Sequence, residues 1–144
     1  MEYPIEDHAQ VLAWDDIYED MGVSLAFAIT TEDMTAFAVL SGDYNPLHRD
    51  EAFARSKGFD GPLVYGALLV AQVSRLVGMH LPGRDCLWTG LKMDFHQPLM
   101  VGENAVIQAV VKTKSDAVQM LKLALKIEAG DRTIAKGSAE VLLE

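Results

Sequence analysis

Between Tyr65 and His80 the chain carries a helix-length stretch that is apolar on nearly every side, with Leu68, Leu69, Val70, Val73, Leu76 and Val77 distributed around it. A helix with that pattern is expected to be buried all round. Pro82 and Gly83 close it, so its cover must come from the strands on either side. Cys86 to Phe95, Glu103 to Lys114, Ala117 to Glu128 and Arg132 to Leu143 read as strands, with Ser115-Asp116 and Gly130-Asp131 where short hairpin loops belong. One central helix followed by antiparallel strands predicts an α+β architecture, a curved sheet wrapped around that helix.

Ahead of the helix, Val23 to Thr30 reads as a first strand. Thr30 or Thr31 is placed to cap a second helix, with Glu32 and Asp33 in its first turn, where the dipole favours acids. Met34, Phe37, Ala38 and Leu40 fall on one face of it, and Gly42 ends it. Asp50 to Arg55 forms a short helix before the loop of Gly58 and Gly61-Pro62. At 144 residues, with no repeat and no linker, the expected organisation is an acidic N-terminal arm over 1–22 and a single domain over 23–144.

The formal charge of −9 is unevenly placed. Residues 1–20 hold seven acids and no Lys or Arg, leaving fourteen acids against twelve basic residues in the remainder. An acidic surface of this kind does not attract nucleic acid. Trp14, Ile17 and Tyr18 indicate that the arm also packs against something. The longest apolar region, Leu63 to Met79, is short for a membrane span and is broken by Gln72, Ser74 and Arg75. No basic region followed by an apolar run opens the chain, so no export signal is expected. The single cysteine, Cys86, fits a reducing compartment, most simply the cytoplasm. No basic partner lies near it in sequence, and an inert thiol is expected. No grouping of Cys and His has zinc spacing.

The chemistry concentrates in Ser41-Gly42-Asp43-Tyr44-Asn45-Pro46-Leu47-His48. Gly42 permits unusual backbone angles and Pro46 disfavours the α conformation at Asn45, so no regular helix is expected there. Such a bend can aim the Asp43 carboxylate and the His48 imidazole at one water. Water activation at neutral pH needs a positioned base and a second polar group to orient the nucleophile. Local chemistry equally accommodates a capped turn in which Asp43 and Asn45 bond neighbouring backbone and His48 simply packs.

This segment, followed by Asp50, Ala52, Phe53 and Ala54, resembles the MaoC-like, or hydratase-2, branch of the hot-dog fold. Gly61-Pro62-Leu63-Val64 leading to Gly66, and Pro98 preceding Val101-Gly102-Glu103, extend the resemblance. It implies an (R)-specific enoyl-CoA hydratase or related dehydratase. Asp43 and His48 would activate the water that adds to C3 of a trans-2-enoyl thioester, and would manage the proton at C2. The backbone amide of Gly66 would meet the thioester oxygen at the positive end of the central helix. Ser74 would stand behind the catalytic pair as a hydrogen-bond partner, and Asn45 would brace the loop. Tyr65-Gly66 departs from the His-Gly of many members, and Ala67 stands where a bulky Met often follows. Tyr65 is therefore expected to shape the acyl pocket, as a donor to the acyl or thioester oxygen or as a stop at one end. The resemblance also implies no metal or redox cofactor and at least a homodimer, joined sheet edge to edge with the acyl tunnel near the interface.

The remaining histidines lack such context. His8 lies in the arm, His80 at a helix end and His96 at a strand exit, and all three read as structural or surface residues. Met79, Met93, Met100 and Met120 read as core filler that can line an acyl channel. Arg49, Arg55, Lys57, Arg75, Arg84 and Lys92 are candidate cations for the phosphates of coenzyme A or for an acidic acyl carrier protein. Two further functions compete with the hydratase: a pathway dehydratase acting on a carrier-bound 3-hydroxyacyl chain, and a hot-dog protein that binds acyl thioesters without catalysis. The intact Asp43 and His48 pair argues against the last of these.

Overall fold

The structure, a computed structural model, describes residues 8–144; the first seven residues of the acidic arm lie outside the described residues. A five-stranded antiparallel sheet runs in the order β1-β3-β4-β5-β2, where β1 is Gly22–Phe27, β2 Cys86–Phe95, β3 Ala105–Ser115, β4 Met120–Ala129 and β5 Arg132–Leu143. Alternation sets its faces. Ile107, Ala109 and Val111 on β3 and Leu121, Leu123, Leu125 and Ile127 on β4 are all buried, and register places Ile107 opposite Ile127 and Leu123 opposite Ala139. Against this inner face lies the central helix α4, Gly66–Met79, which buries Leu69, Val73, Leu76 and Val77. Sheet and helix share one core, the hot-dog arrangement of the expected α+β class.

Three expectations change. The central helix is not covered all round: Ala67, Ala71 and Ser74 form an exposed stripe along it. A single sheet reaches only one side of a helix, so the apolar pattern overstates the cover one chain supplies. Strand β1 stops at Phe27, where its ladder with β3 ends at Ala105, and Ile29 instead accepts a hydrogen bond from Gly102 N–H at 2.8 Å. The β3–β4 loop also exceeds the two residues expected. Four residues, Asp116 to Gln119, separate the strands, with Gln119 at φ 50.

The helix before the motif, α1, is Thr31–Ser41. Thr30 and Asp33 cap it reciprocally, each side chain accepting from the other's backbone N–H, and Gly42 ends it in the left-handed conformation at φ 78. Met34 and Ala38 bury its inner face, while Leu40 is 85% exposed and lies off that face. The described part of the acidic arm is tied to the body. Ile17 is buried, Trp14 Nε1–H donates to Asp116 at 2.7 Å, and Lys114 Nζ donates to the carbonyls of Trp14 and Ile17. Tyr18 remains exposed.

Candidate active site

Backbone–side-chain bonds hold the motif one residue at a time. Ser41 Oγ donates to Phe37 O at 2.6 Å and accepts from Asp43 N–H at 3.1 Å. Asp43 Oδ1 accepts from Asn45 N–H at 3.0 Å, and the residue is exposed. Asn45 Oδ1 caps the next element by accepting from Leu47 N–H at 2.9 Å. That element is a helical turn, α2, Pro46–Arg49, followed by α3, Glu51–Ser56. The expectation that no helix forms across the motif is therefore corrected. Pro46 sits at the first helical position, where its missing N–H costs nothing and its fixed φ is pre-organised. His48 thus projects from a short helix.

One contact defines the imidazole. His48 Nδ1 lies 2.7 Å from Leu63 O. A carbonyl oxygen only accepts, so Nδ1 carries the proton and Nε2 presents a lone pair. Leu63 N–H donates back to Leu47 O at 3.1 Å, locking α2 to the chain entering α4. Tyr65 packs under this assembly. Its ring is stacked on His48 with centroids 4.2 Å apart at 27° and tilted on Phe37 at 4.6 Å and 53°. Its hydroxyl donates to Asp43 O at 2.6 Å. Burial, and then the neighbouring Asp43 carboxylate, push the phenol above its ordinary value, against the lowering effect of Arg49.

A cleft of about 350 Å³ opens in front of His48, lined also by Leu63, Val64, Gly66, Leu69 and the segment Phe95–Leu99. His48 and Gly66 therefore line the same cleft. Gly66 opens α4, where backbone N–H groups lack partners within the helix, and the Phe95 ring crosses it so closely that an added Cβ would lie 3.1 Å away. Phe95, Gln97 and Leu99 add to the expected site residues, and His96, expected to be structural or on the surface, lines the same cleft. Nothing local marks them; they arrive through the exit of β2. The segment is fastened from behind: Glu103 accepts from Met100 N–H at 3.1 Å and pairs with Arg132, which also donates to Pro98 O at 3.2 Å. Burial raises the Glu103 carboxyl, but the Met100 amide and Arg132 together outweigh it and hold the group below its usual range.

Two expected placements change. Tyr65 is not among the residues lining this cleft; its ring is buried against His48 and Phe37 and its hydroxyl donates to Asp43 O. Ser74 is exposed on the open stripe of α4, two turns from Gly66 and outside the cleft. Of the candidate cations, Arg55, Arg84 and Lys92 pair with Glu51, Asp85 and Asp94. Lys57 lies over Phe53 at 5.3 Å, and Arg49 donates to Thr35 Oγ1 at 3.0 Å. Burial pushes the Cys86 thiol up. Among the described residues no cluster of three or more His, Cys, Asp or Glu is placed to hold a metal ion, and no helix is long and apolar enough to cross a membrane.

With a hot-dog sheet, a central helix and this loop in place, the chain belongs to the MaoC-like domain family, whose match covers residues 16–131. It is 40% identical over 79 residues to the (R)-specific enoyl-CoA hydratase of Aeromonas caviae, covering 55% of this chain and 59% of that protein. It is 30% identical over 99 residues to a mitochondrial 3-hydroxyacyl-[acyl-carrier-protein] dehydratase of Arabidopsis thaliana, covering 67% of this chain and 58% of that one. These matches span about three-fifths of each relative's length. The structure of the (R)-hydratase from A. caviae involved in PHA biosynthesis superposes with a TM-score of 0.85 at 31% identity, covering 89% of this chain and 98% of that one.

Proposed function

We propose that this protein is a hydro-lyase that interconverts trans-2-enoyl thioesters and (R)-3-hydroxyacyl thioesters, with coenzyme A as the leading carrier. The observation that carries this reading is that His48 and Gly66 line one cleft; Asp43 does not line it, but its backbone carbonyl is held by the hydroxyl of Tyr65, whose ring stacks on His48. Water bound between Asp43 and His48 loses a proton to Nε2 as its oxygen bonds to C3. The displaced π electrons move toward the thioester oxygen, which becomes an enolate facing the Gly66 N–H and the positive end of α4. As the enolate collapses, C2 receives a proton from the same pair, so the elements of one water have been added across the double bond. The reverse sequence dehydrates the 3-hydroxyacyl thioester. No step calls for a metal or redox cofactor.

The match to a carrier-protein dehydratase supports a second reading, in which the acyl chain arrives on an acidic acyl carrier protein. Arg49, Lys57 and Arg75 have no carboxylate partner among the described residues and would meet either carrier. A homodimer completes the proposal. Among the described residues, strand β2 is an end strand of the sheet and bears the exposed Leu87 and Leu91, and the open stripe of α4 leaves apolar surface for a second copy. A reducing, cytoplasmic setting suits the single, half-buried thiol of Cys86. Incubation with crotonyl-CoA, followed by enoyl absorbance, tests the activity. Loss of absorbance with formation of the (R)-3-hydroxy product is expected; a protein silent on both CoA and carrier-protein enoyl thioesters overturns it.

A further inference from the structure

We propose that Tyr65 is a positioning residue that clamps the two candidate catalytic side chains into register, and this deepens the hydratase reading on which it rests. Its hydroxyl, 2.6 Å from Asp43 O, holds the backbone that carries the carboxylate. Its ring, stacked 4.2 Å from His48, fixes the plane of the imidazole whose Nδ1 is already tied to Leu63. Its own backbone is the N-cap of α4, one bond from the Gly66 amide. One residue therefore joins three parts, its side chain reaching Asp43 across 22 residues and stacking on His48, and its backbone leading into Gly66. Phe37 packs on the same ring from α1, so the clamp is itself held by the helix that leads into the motif.

The Asp43 loop needs such a device. Residues 41–46 are all exposed, and apart from Tyr65 the loop is fixed by short-range bonds within itself and to α1. The phenol is protonated at neutral pH, because burial and the carboxylate of Asp43 both favour the neutral form over the opposing effect of Arg49. It is thus a dependable donor and a poor acid. A residue on the acyl wall would select among substrates by size. A clamp instead changes the turnover of every substrate alike.

Tyr65→Phe removes the hydroxyl and keeps the stacked ring. Its kcat is expected to fall about ten- to a hundred-fold, since a displacement of about 1 Å costs up to that much. The ratio of kcat/KM between short and long enoyl chains should stay at the wild-type value. Tyr65→His, which keeps a flat ring and an N–H donor, should recover part of the rate lost in Tyr65→Leu. Amide hydrogen exchange at Asn45 and Leu47 should quicken in Tyr65→Phe, with circular dichroism unchanged. The exchange measurement does not depend on turnover, so it judges the clamp even if wild-type protein hydrates no enoyl thioester and the hydratase reading fails. Should Tyr65→Phe unfold, Tyr65→His is read by the same exchange and chain-length measurements. A shifted chain-length profile with unchanged exchange would make Tyr65 a wall residue, and wild-type kcat with wild-type exchange would remove it from the site; either result overturns the clamp.

Discussion

His48 has two ring nitrogens, and the carbonyl of Leu63 decides which of them is free. With Nδ1–H donating at 2.7 Å, Nε2 is left to accept a proton from water. Gly66 matters for a different reason, since the absence of a side chain lets the Phe95 ring approach its backbone, and on the proposed reading leaves room for a thioester over its amide. Gly66→Ala should fold normally, because Ala suits a helical position better than Gly and the half-exposed Phe95 can move aside. Its kcat/KM should nevertheless fall by up to about a hundred-fold from displaced reacting groups, and an unchanged value in steady-state kinetics would take the amide out of the site. Spacing, Gly and Pro act locally and pair Asp43 with His48 in the sequence, while Gly66 is expected only from the family resemblance. The structure brings His48 and Gly66 to one cleft and leaves Asp43 outside its lining. Tyr65 was legible as a neighbour of the site but not in its orientation, which depends on Phe37 and Asp43 arriving from another element.

At the scale of elements, α1 aims the motif and the segment 95–103 closes the cleft. The capping signals of α1 and the stop at Gly42 were readable in order. The turn at Pro46 was not, because proline's disfavour of helix at the preceding residue hides its fitness to begin one. The segment before β3 owes its place to the Glu103–Arg132 pair, whose members lie 29 residues apart. The folded carboxyl of Glu103 is lowered from its ordinary 4.5. Its stabilisation is therefore fully present above about pH 4.5 and is lost as pH falls through the lower folded value. Glu103→Gln should cost about 1.5–3 kcal/mol at pH 7, the scale of hydrogen bonds to charged groups. Urea unfolding at a series of pH values should show that gap closing below the ordinary carboxyl range. A gap independent of pH would mean that the ionised carboxylate is not its source.

For the whole molecule, the described residues build a sheet with β1 and β2 as its end strands and a helix with an exposed stripe. The pattern of apolar residues on α4 was readable, but whether that face meets its own sheet or another chain was not, since periodicity records burial without naming the cover. A second copy joined at β2 would extend the sheet and remove an exposed edge. Sedimentation at micromolar concentration should give at least twice the mass of one chain, and a monomer alone would refute the assembly. The central claim, that Asp43 and His48 act as one unit on one water, is tested most directly by hydration kinetics of Asp43→Asn, His48→Ala and the double variant, with circular dichroism as the folding control. General acid–base groups contribute about a hundred- to ten-thousand-fold, so each single variant should lose at least about a hundred-fold in kcat, and the double variant should be little worse than either. Well-folded single variants that keep near wild-type kcat would contradict the account and return the motif to a capped turn.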